Sequence, residues 1–416
     1  MITSDINKET FSGSGIVIVG DSIKFADESV KITQSRNMSF VLLLLVVVAA
    51  GLVAALRPSC HQPLLHKRWV LRSTTQDSNI VEQEYSQIKS AINNQITQST
   101  IPDQFKTILT DFISDYSSSL LTAKKSSSEF KSNIQLFLKL ISEAMVSPYQ
   151  FQPFHKALRG PNIDYYNFGN EFLKPLIIDE ESKVFGIENC KLIESHLEKG
   201  DNVIILSNHQ TECDPQVISI LLERYGYSSL AEKIIFVAGH KVTSDPVAIP
   251  FSMGRNLICI HSKKHIKNPP EDLPRKQAQN MESMKAMNEL VTEGGKIFWV
   301  APSGGCDRPD STGNFVVAPF DYKSLDMFKL LGMQSKRPLH FFPMAMYTNT
   351  LVPPPDTVSS TLGEQRSAKR GAVSFHILDE TDGLGGLKDK EFCNDLQLKV
   401  ENSFNDLVKF HKEVKK

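Results

Sequence analysis

From Tyr149 onward, short β-branched runs alternate with longer amphipathic ones, which predicts an α/β fold: a mixed sheet with helices on both faces. Ahead of it, between Asp77 and Ser147, apolar residues recur at helical spacing and predict a small helical bundle. A third observation marks where ligands should bind. The strand-like run Asn202–Leu206 ends in Ser207-Asn208-His209-Gln210-Thr211-Glu212-Cys213-Asp214-Pro215, and Val217, Ile218, Ile220 and Leu221 then follow at nearer helical spacing. A polar motif where a strand passes into a helix sits on the crest of an open sheet, the usual ligand position.

The organisation read along the chain is a leader over residues 1–76, a helical bundle over 77–147 and an α/β domain over 148–416. At 416 residues the chain is long enough for two domains. Within the leader, Phe40–Leu56 is apolar and free of charge, near the lower limit for a membrane span, and it ends in small residues as a cleaved signal does. Residues 57–76 hold Arg57, Lys67, Arg68, Arg72, Ser73, Thr74 and Thr75 and no acid, which is transit-peptide composition. Signal followed by transit resembles the bipartite address of proteins sent to plastids of secondary origin. The alternative is a membrane anchor through residues 40–56, and Met38 is an alternative start. Gly13-Ser14-Gly15 precedes the apolar run Ile16–Val19 instead of following it, the wrong order for a dinucleotide loop.

Three apolar faces define the bundle: Ile80 to Ile92, Ile101 to Ile113, and Phe130 to Ile141. Ser99 and Thr100 read as caps, and Ser117–Ser119 and Ser126–Ser128 as loops. In the α/β domain the expected strands are Val203–Leu206, Ile234–Ala238, Leu257–His261, Ile297–Val300, Leu339–Met346 and Ala372–Ile377. The expected helices lie near Ile187–Glu198, Pro215–Arg224, Arg275–Thr292, Tyr322–Leu331 and Asp389–Lys412.

Lysine plus arginine nearly equals aspartate plus glutamate, with a net charge of -1. That balance argues against nucleic acid as a partner and leaves any anion site to a local cluster. The six cysteines show no Cys-x-x-Cys spacing, so neither a zinc site nor a thioredoxin-like motif is expected of them.

His209 and Asp214 are the candidate catalytic pair. A neutral imidazole takes a proton from a hydroxyl near neutral pH, and a carboxylate on its other nitrogen fixes the tautomer and steadies the imidazolium. Asp214 before Pro215 also reads as a helix N-cap. His240 and Asp245 repeat the spacing, but without the strand-to-helix setting. Basic groups that an anionic substrate needs follow two expected strands: Lys263, Lys264 and His265 after one, Arg308 after the other, with Arg255 just before the first. Taken alone, the Lys263–Lys267 run reads as a solvated surface.

The motif Ser207–Pro215 resembles the first block of the glycerolipid acyltransferases, Asn-His-x-x-x-x-Asp, and more closely that of the soluble plastid glycerol-3-phosphate acyltransferases of plants and algae. The likeness runs in order through Phe236–Gly239, Pro250–Cys259, Ser262–His265 and Ile297–Gly305. It implies transfer of an acyl chain from acyl-ACP or acyl-CoA to the sn-1 hydroxyl of glycerol 3-phosphate, giving lysophosphatidic acid. It implies no metal or other cofactor, and a peripheral membrane contact for product release. Lys264, His265 and Arg308 match the family's phosphate-holding residues. The family's second block, Gly-Gly-Arg-Asp-Arg-Pro-Asp, reads here Gly304-Gly305-Cys306-Asp307-Arg308-Pro309-Asp310. Cys306 supplies no cation, so weaker phosphate binding is expected unless Lys263 or Arg255 substitutes. Ser303 lies in no nucleophile elbow, so no acyl-enzyme is expected. Acylation of lysophosphatidate or another lysolipid at a membrane is the alternative reading, and a non-catalytic lipid-binding protein a third.

Overall fold

The computed structural model describes residues 17–19, 22–25, 28–31, 66–99, 101–262, 266–355, 364–381 and 389–414, with side chains from residue 79 on. The apolar leader run 40–56 and the basic residues Lys263, Lys264 and His265 lie outside the described residues. The chain divides into two units, residues 1–73 and 74–416. In the first, β1 (Val17–Val19), β2 (Ser22–Phe25) and β3 (Glu28–Lys31) pair as an antiparallel meander.

Helix α1 (His66–Gln98) is followed by α2 (Asp103–Thr122) and α3 (Ser127–Val146). α1 begins earlier than the Asp77 start predicted from the apolar spacing, because residues 66–76 contain no proline or glycine to stop it. Ser99 closes α1 instead of opening α2: its hydroxyl donates to Ile96 O at 2.6 Å and accepts from Ile101 N at 3.3 Å. Ser117–Ser119, predicted as a loop, lie inside α2. There Ser118 back-bonds Ser114 O at 3.0 Å, which lets serine sit in a helix. Ser126 does cap α3, accepting from Glu129 N at 3.1 Å.

The α/β part continues with β4 (Phe154–His155), α4 (Tyr165–Leu173), β5 (Lys183–Phe185), α5 (Asn189–Glu198), β6 (Asn202–Ser207), α6 (Asp214–Arg224), α7 (Ser228–Lys233), β7 (Ile235–Gly239), α8 (Ile249–Met253) and β8 (Asn256–Ile260). Then come α9 (Leu273–Glu293), β9 (Ile297–Val300), β10 (Arg308–Pro309), β11 (Phe315–Val316), α10 (Tyr322–Ser335), β12 (Leu339–Tyr347), β13 (Ser374–Ile377) and α11 (Asp389–Val414). Eight strands form one mixed sheet in the order β4-β8-β7-β9-β6-β12-β13-β5. Its centre is parallel: β6 pairs Val203–Leu206 with Ile297–Val300 of β9, and Leu339–Met344 of β12 with Asn202–Ser207. The edge strand β4 and the β12–β13 pairing are antiparallel.

Strand alternation sends successive side chains to opposite faces. Val203, Ile205, Ile297 and Trp299 join one apolar core, shared with α6 and the bundle helices. Ile204, Leu206, Phe298 and Val300 join the other, under α9, α10 and α11. The bundle is tied to α4 by Tyr116, whose ring stacks on Phe172 at 4.4 Å and whose hydroxyl donates to Phe172 O at 2.9 Å. Among the described residues no helix is long and apolar enough to cross a membrane. Because β6, β9 and β12 run parallel, the segments after Ser207, Val300 and Tyr347 emerge on one edge of the sheet, and the site forms there.

Candidate active site

β6 is buried at every position, so the chain leaves the sheet only at Asn208. Asn208 replaces the ladder with its side chain. Nδ2 donates to Met346 O at 3.1 Å and Oδ1 accepts from Met346 N at 2.7 Å. The backbone beyond is then free to turn, and Asp214 closes the turn. Its Oδ2 accepts from Gln210 N at 2.8 Å, from Thr211 N at 3.4 Å and from His209 Nδ1 at 2.7 Å. Its Oδ1 accepts from Thr348 Oγ1 at 2.5 Å. The carboxylate therefore faces back into the loop, and it does not cap α6 as the sequence predicts. α6 has no side-chain cap at Cys213, and Pro215 in its first turn removes one of the orphan donors.

Asp214 is fully buried, while the His209 side chain keeps 22% of its surface exposed. Nδ1–H given to the carboxylate leaves Nε2 as the basic nitrogen. Trp299 of β9 sets its ring edge-on to the imidazole at 5.6 Å. Cys306 is close enough to the same imidazole to act on its proton affinity. Burial alone would lower the affinity of His209 for a proton. The Cys306 sulfur and the Asp214 carboxylate outweigh it and hold His209 well above the ordinary histidine range.

Cys306 and Arg308 are brought here by the turn after β9. Gly304 takes φ +66, a left-handed conformation that suits glycine, and its N–H donates to Ala301 O at 3.0 Å. Asp307 N then donates to His209 O at 2.5 Å, which fastens the two loops together. The Asp307 carboxylate, fully buried, accepts from Asn208 Nδ2 at 2.7 Å, Gln210 Nε2 at 3.4 Å and Ala318 N at 2.9 Å. Burial pushes it up to about 6 despite those donors. Arg308 folds over the turn. Its Nη1 donates to Cys306 O and Asp307 O, both at 3.0 Å, and its buried Nε has no hydrogen-bond partner among the described residues.

The geometry thus gathers His209, Asp214, Cys306 and Arg308. Arg255 is not part of it, and the suggestion that it binds substrate is corrected. Only 3% of it is exposed. It donates to Ser219 Oγ at 2.7 Å and to Asn170 Oδ1, and its guanidinium lies 4.5 Å from the centre of the Tyr166 ring. Burial pushes it down to about 10. All of those contacts knit α4 to α6. At the repeated spacing, Asp245 accepts from Val247 N at 2.9 Å and from Arg366 Nη2 at 3.1 Å, and His240 lies against His261 with ring centroids 4.5 Å apart. Arg366 also pairs with Glu212 of the motif, through Nη2 at 3.0 Å and through Nε.

Asp307 and Thr348 escaped the sequence reading. Asp307 stands inside the Gly304–Asp310 block and was overshadowed by the cationic positions beside it. Thr348 carries no local signal, since it meets Asp214 only through the pairing of β6 with β12.

A parallel-centred sheet with a carboxylate-held histidine on its crest is an arrangement able to activate a hydroxyl, and comparison with known proteins gives the family. Residues 189–353 match the family model described as Acyltransferase. The protein named glycerol-3-phosphate acyltransferase, chloroplastic, of Spinacia oleracea is 41% identical over 65% of this chain and 55% of its own length. Its namesake in Arabidopsis thaliana is 37% identical over 69% of this chain and 62% of its own. That of Carthamus tinctorius is 34% identical over 78% of this chain and 67% of its own. The chain belongs to this acyltransferase family, together with the proteins named chloroplastic glycerol-3-phosphate acyltransferase. It spans little more than half the length of the spinach relative.

Proposed function

We propose that the protein is a glycerol-3-phosphate 1-O-acyltransferase, moving an acyl chain from acyl-ACP or acyl-CoA to the sn-1 hydroxyl and producing lysophosphatidic acid. The observation that carries this reading is the 2.7 Å contact between His209 Nδ1 and Asp214, which leaves Nε2 to act as the base. The acceptor's phosphate is held by Arg308 with Lys264 and His265, which presents its sn-1 hydroxyl to Nε2. As the proton passes to Nε2, the oxygen attacks the thioester carbonyl. The tetrahedral intermediate then expels the donor thiolate, which recovers the proton from the imidazolium. Asp214 stays ionised throughout and steadies the imidazolium. The route needs no metal and no acyl-enzyme. The plastid is the proposed location, supported by the names of the relatives and by the leader composition, with peripheral membrane contact as product leaves.

The test is an acyl-transfer assay with glycerol 3-phosphate and both donors. His209→Ala is expected to abolish transfer while His240→Ala keeps most of it. The reverse result refutes the assignment. Preference for lysophosphatidate as acceptor over glycerol 3-phosphate would favour the lysolipid reading instead.

A further inference from the structure

The opposite edge of the sheet carries a second group of titratable side chains. His196 lies in the last turn of α5, Asp201 precedes β6, His340 is in β12 beside Val203, and Glu380 follows β13. The two imidazoles stack face to face, with centroids 3.5 Å apart and planes at 17°. Glu380 spans one side of the stack: Oε2 lies 3.1 Å from His196 Nε2 and Oε1 2.6 Å from His340 Nδ1. Asp201 Oδ2 spans the other side, 3.2 Å from His340 Nε2 and 3.9 Å from His196 Nδ1.

The protons do not balance in this arrangement. All four ring nitrogens face carboxylate oxygen, which only accepts, yet two neutral imidazoles carry one N–H each. His196 is 8% exposed, and its Nδ1 has no hydrogen-bond partner among the described residues. Two carboxylates around two neutral rings carry two uncompensated negative charges. Either added protons on stacked rings or one divalent cation balances them.

We infer that His196, His340 and Glu380 form a divalent-cation site, with Asp201 orienting His340 from behind. The ligand atoms of the three lie within 4.8 Å of one another. Tetrahedral zinc with bonds of about 2.0–2.1 Å sets neighbouring ligand atoms about 3.3 Å apart. The separation of His196 Nε2 from Glu380 Oε2, 3.1 Å, is near that spacing, and that of His340 Nδ1 from Oε1, 2.6 Å, must lengthen on binding. Binding requires the stacked rings to splay so that their lone pairs converge, and Glu380, with a third of its side chain exposed, has room to move with them. Two imidazole nitrogens with one carboxylate suit zinc, whereas magnesium and calcium take oxygen ligands. A carboxylate behind a ligating imidazole is the arrangement that fixes its tautomer and orientation. Such a cation would clip α5, β12 and the segment after β13 together, at the end of β6 away from the crest.

The test is calorimetric titration of the untagged full chain with Zn²⁺ at neutral pH, beside His340→Ala and Glu380→Gln, with melting temperature as a second readout. One saturable equivalent is expected, weakened by about tenfold or more in each variant. Zn²⁺ should raise the melting temperature of the wild type and of neither variant. Absence of saturable one-to-one binding overturns the inference. So does binding that both variants keep and His209→Ala loses, which would put the ion at the crest. Neither result bears on the acyl-transfer reading.

Discussion

Asp214→Asn isolates the charge of the orienting carboxylate from its hydrogen bonds. In the wild type Oδ2 receives three donors, Gln210 N, Thr211 N and His209 Nδ1. An amide nitrogen there would face all three, and each orphaned buried N–H costs about 1–3 kcal/mol. Rotating the amide by a half turn removes the conflict. Its oxygen then meets the three donors and its nitrogen meets Thr348 Oγ1, 2.5 Å from Oδ1, where a hydroxyl can accept as readily as it donates. The imidazole tautomer therefore survives, and what is lost is stabilisation of the imidazolium. A hydrogen bond to a charged group contributes about 1.5–3 kcal/mol, so kcat should fall roughly 10- to 150-fold with little change in melting temperature. Adding Thr348→Val leaves the rotated amide nitrogen unpaired at about 1–3 kcal/mol, still less than three conflicting donors, so the double variant should lose melting temperature while its kcat stays near that of Asp214→Asn. Steady-state kinetics with glycerol 3-phosphate reads both. An Asp214→Asn enzyme within about threefold of wild type would refute the idea that this carboxylate works through His209.

Two further expectations concern the loop after β9. His209 acts as a base only when deprotonated, and its proton affinity is raised, so kcat/KM should climb with pH through a midpoint above the ordinary histidine value. Cys306→Ala removes one of the groups that raises it, and the climb should move to lower pH. A profile that stays in place, or moves the other way, contradicts the influence of Cys306 on His209. Cys306→Arg restores a cation beside Arg308 and should lower KM for glycerol 3-phosphate by roughly 10- to 150-fold, the equivalent of one charge-assisted hydrogen bond of about 1.5–3 kcal/mol. An unchanged KM would mean that the phosphate lies elsewhere.

Sequence pattern revealed the sheet where burial is two-sided and the run is bounded. Ile297–Val300 emerges with the bounds predicted for it, since glycines precede it and Ala301-Pro302 follows. The edge strands β4 and β5, of 2 and 3 residues, are too short for any periodicity to show. Arg255 was misread for a different reason. A cation in a sequence is taken to face water, and this one is buried against an aromatic ring and neutral polar partners that no local window contains. At the site, the His209–Asp214 spacing was visible but the direction of the carboxylate was not. Its partners include Thr348, 134 positions away. The role of Asp307 is equally non-local, since its carboxylate accepts from Asn208 and Gln210 of the crest loop and from Ala318.

The amide of Asn208 behaves as one more rung of the sheet, offering donor and acceptor to Met346 as a peptide group would. Side chain has stood in for main chain at the last step, so the polypeptide can leave its neighbour one residue early without stranding that neighbour's polar atoms. Only a carboxamide does this. An aspartate in its place would set oxygen against Met346 O, and a leucine would offer nothing to either atom. The asparagine ahead of the histidine is therefore the hinge pin of the motif: it ends the strand while keeping the wall beneath the imidazole intact.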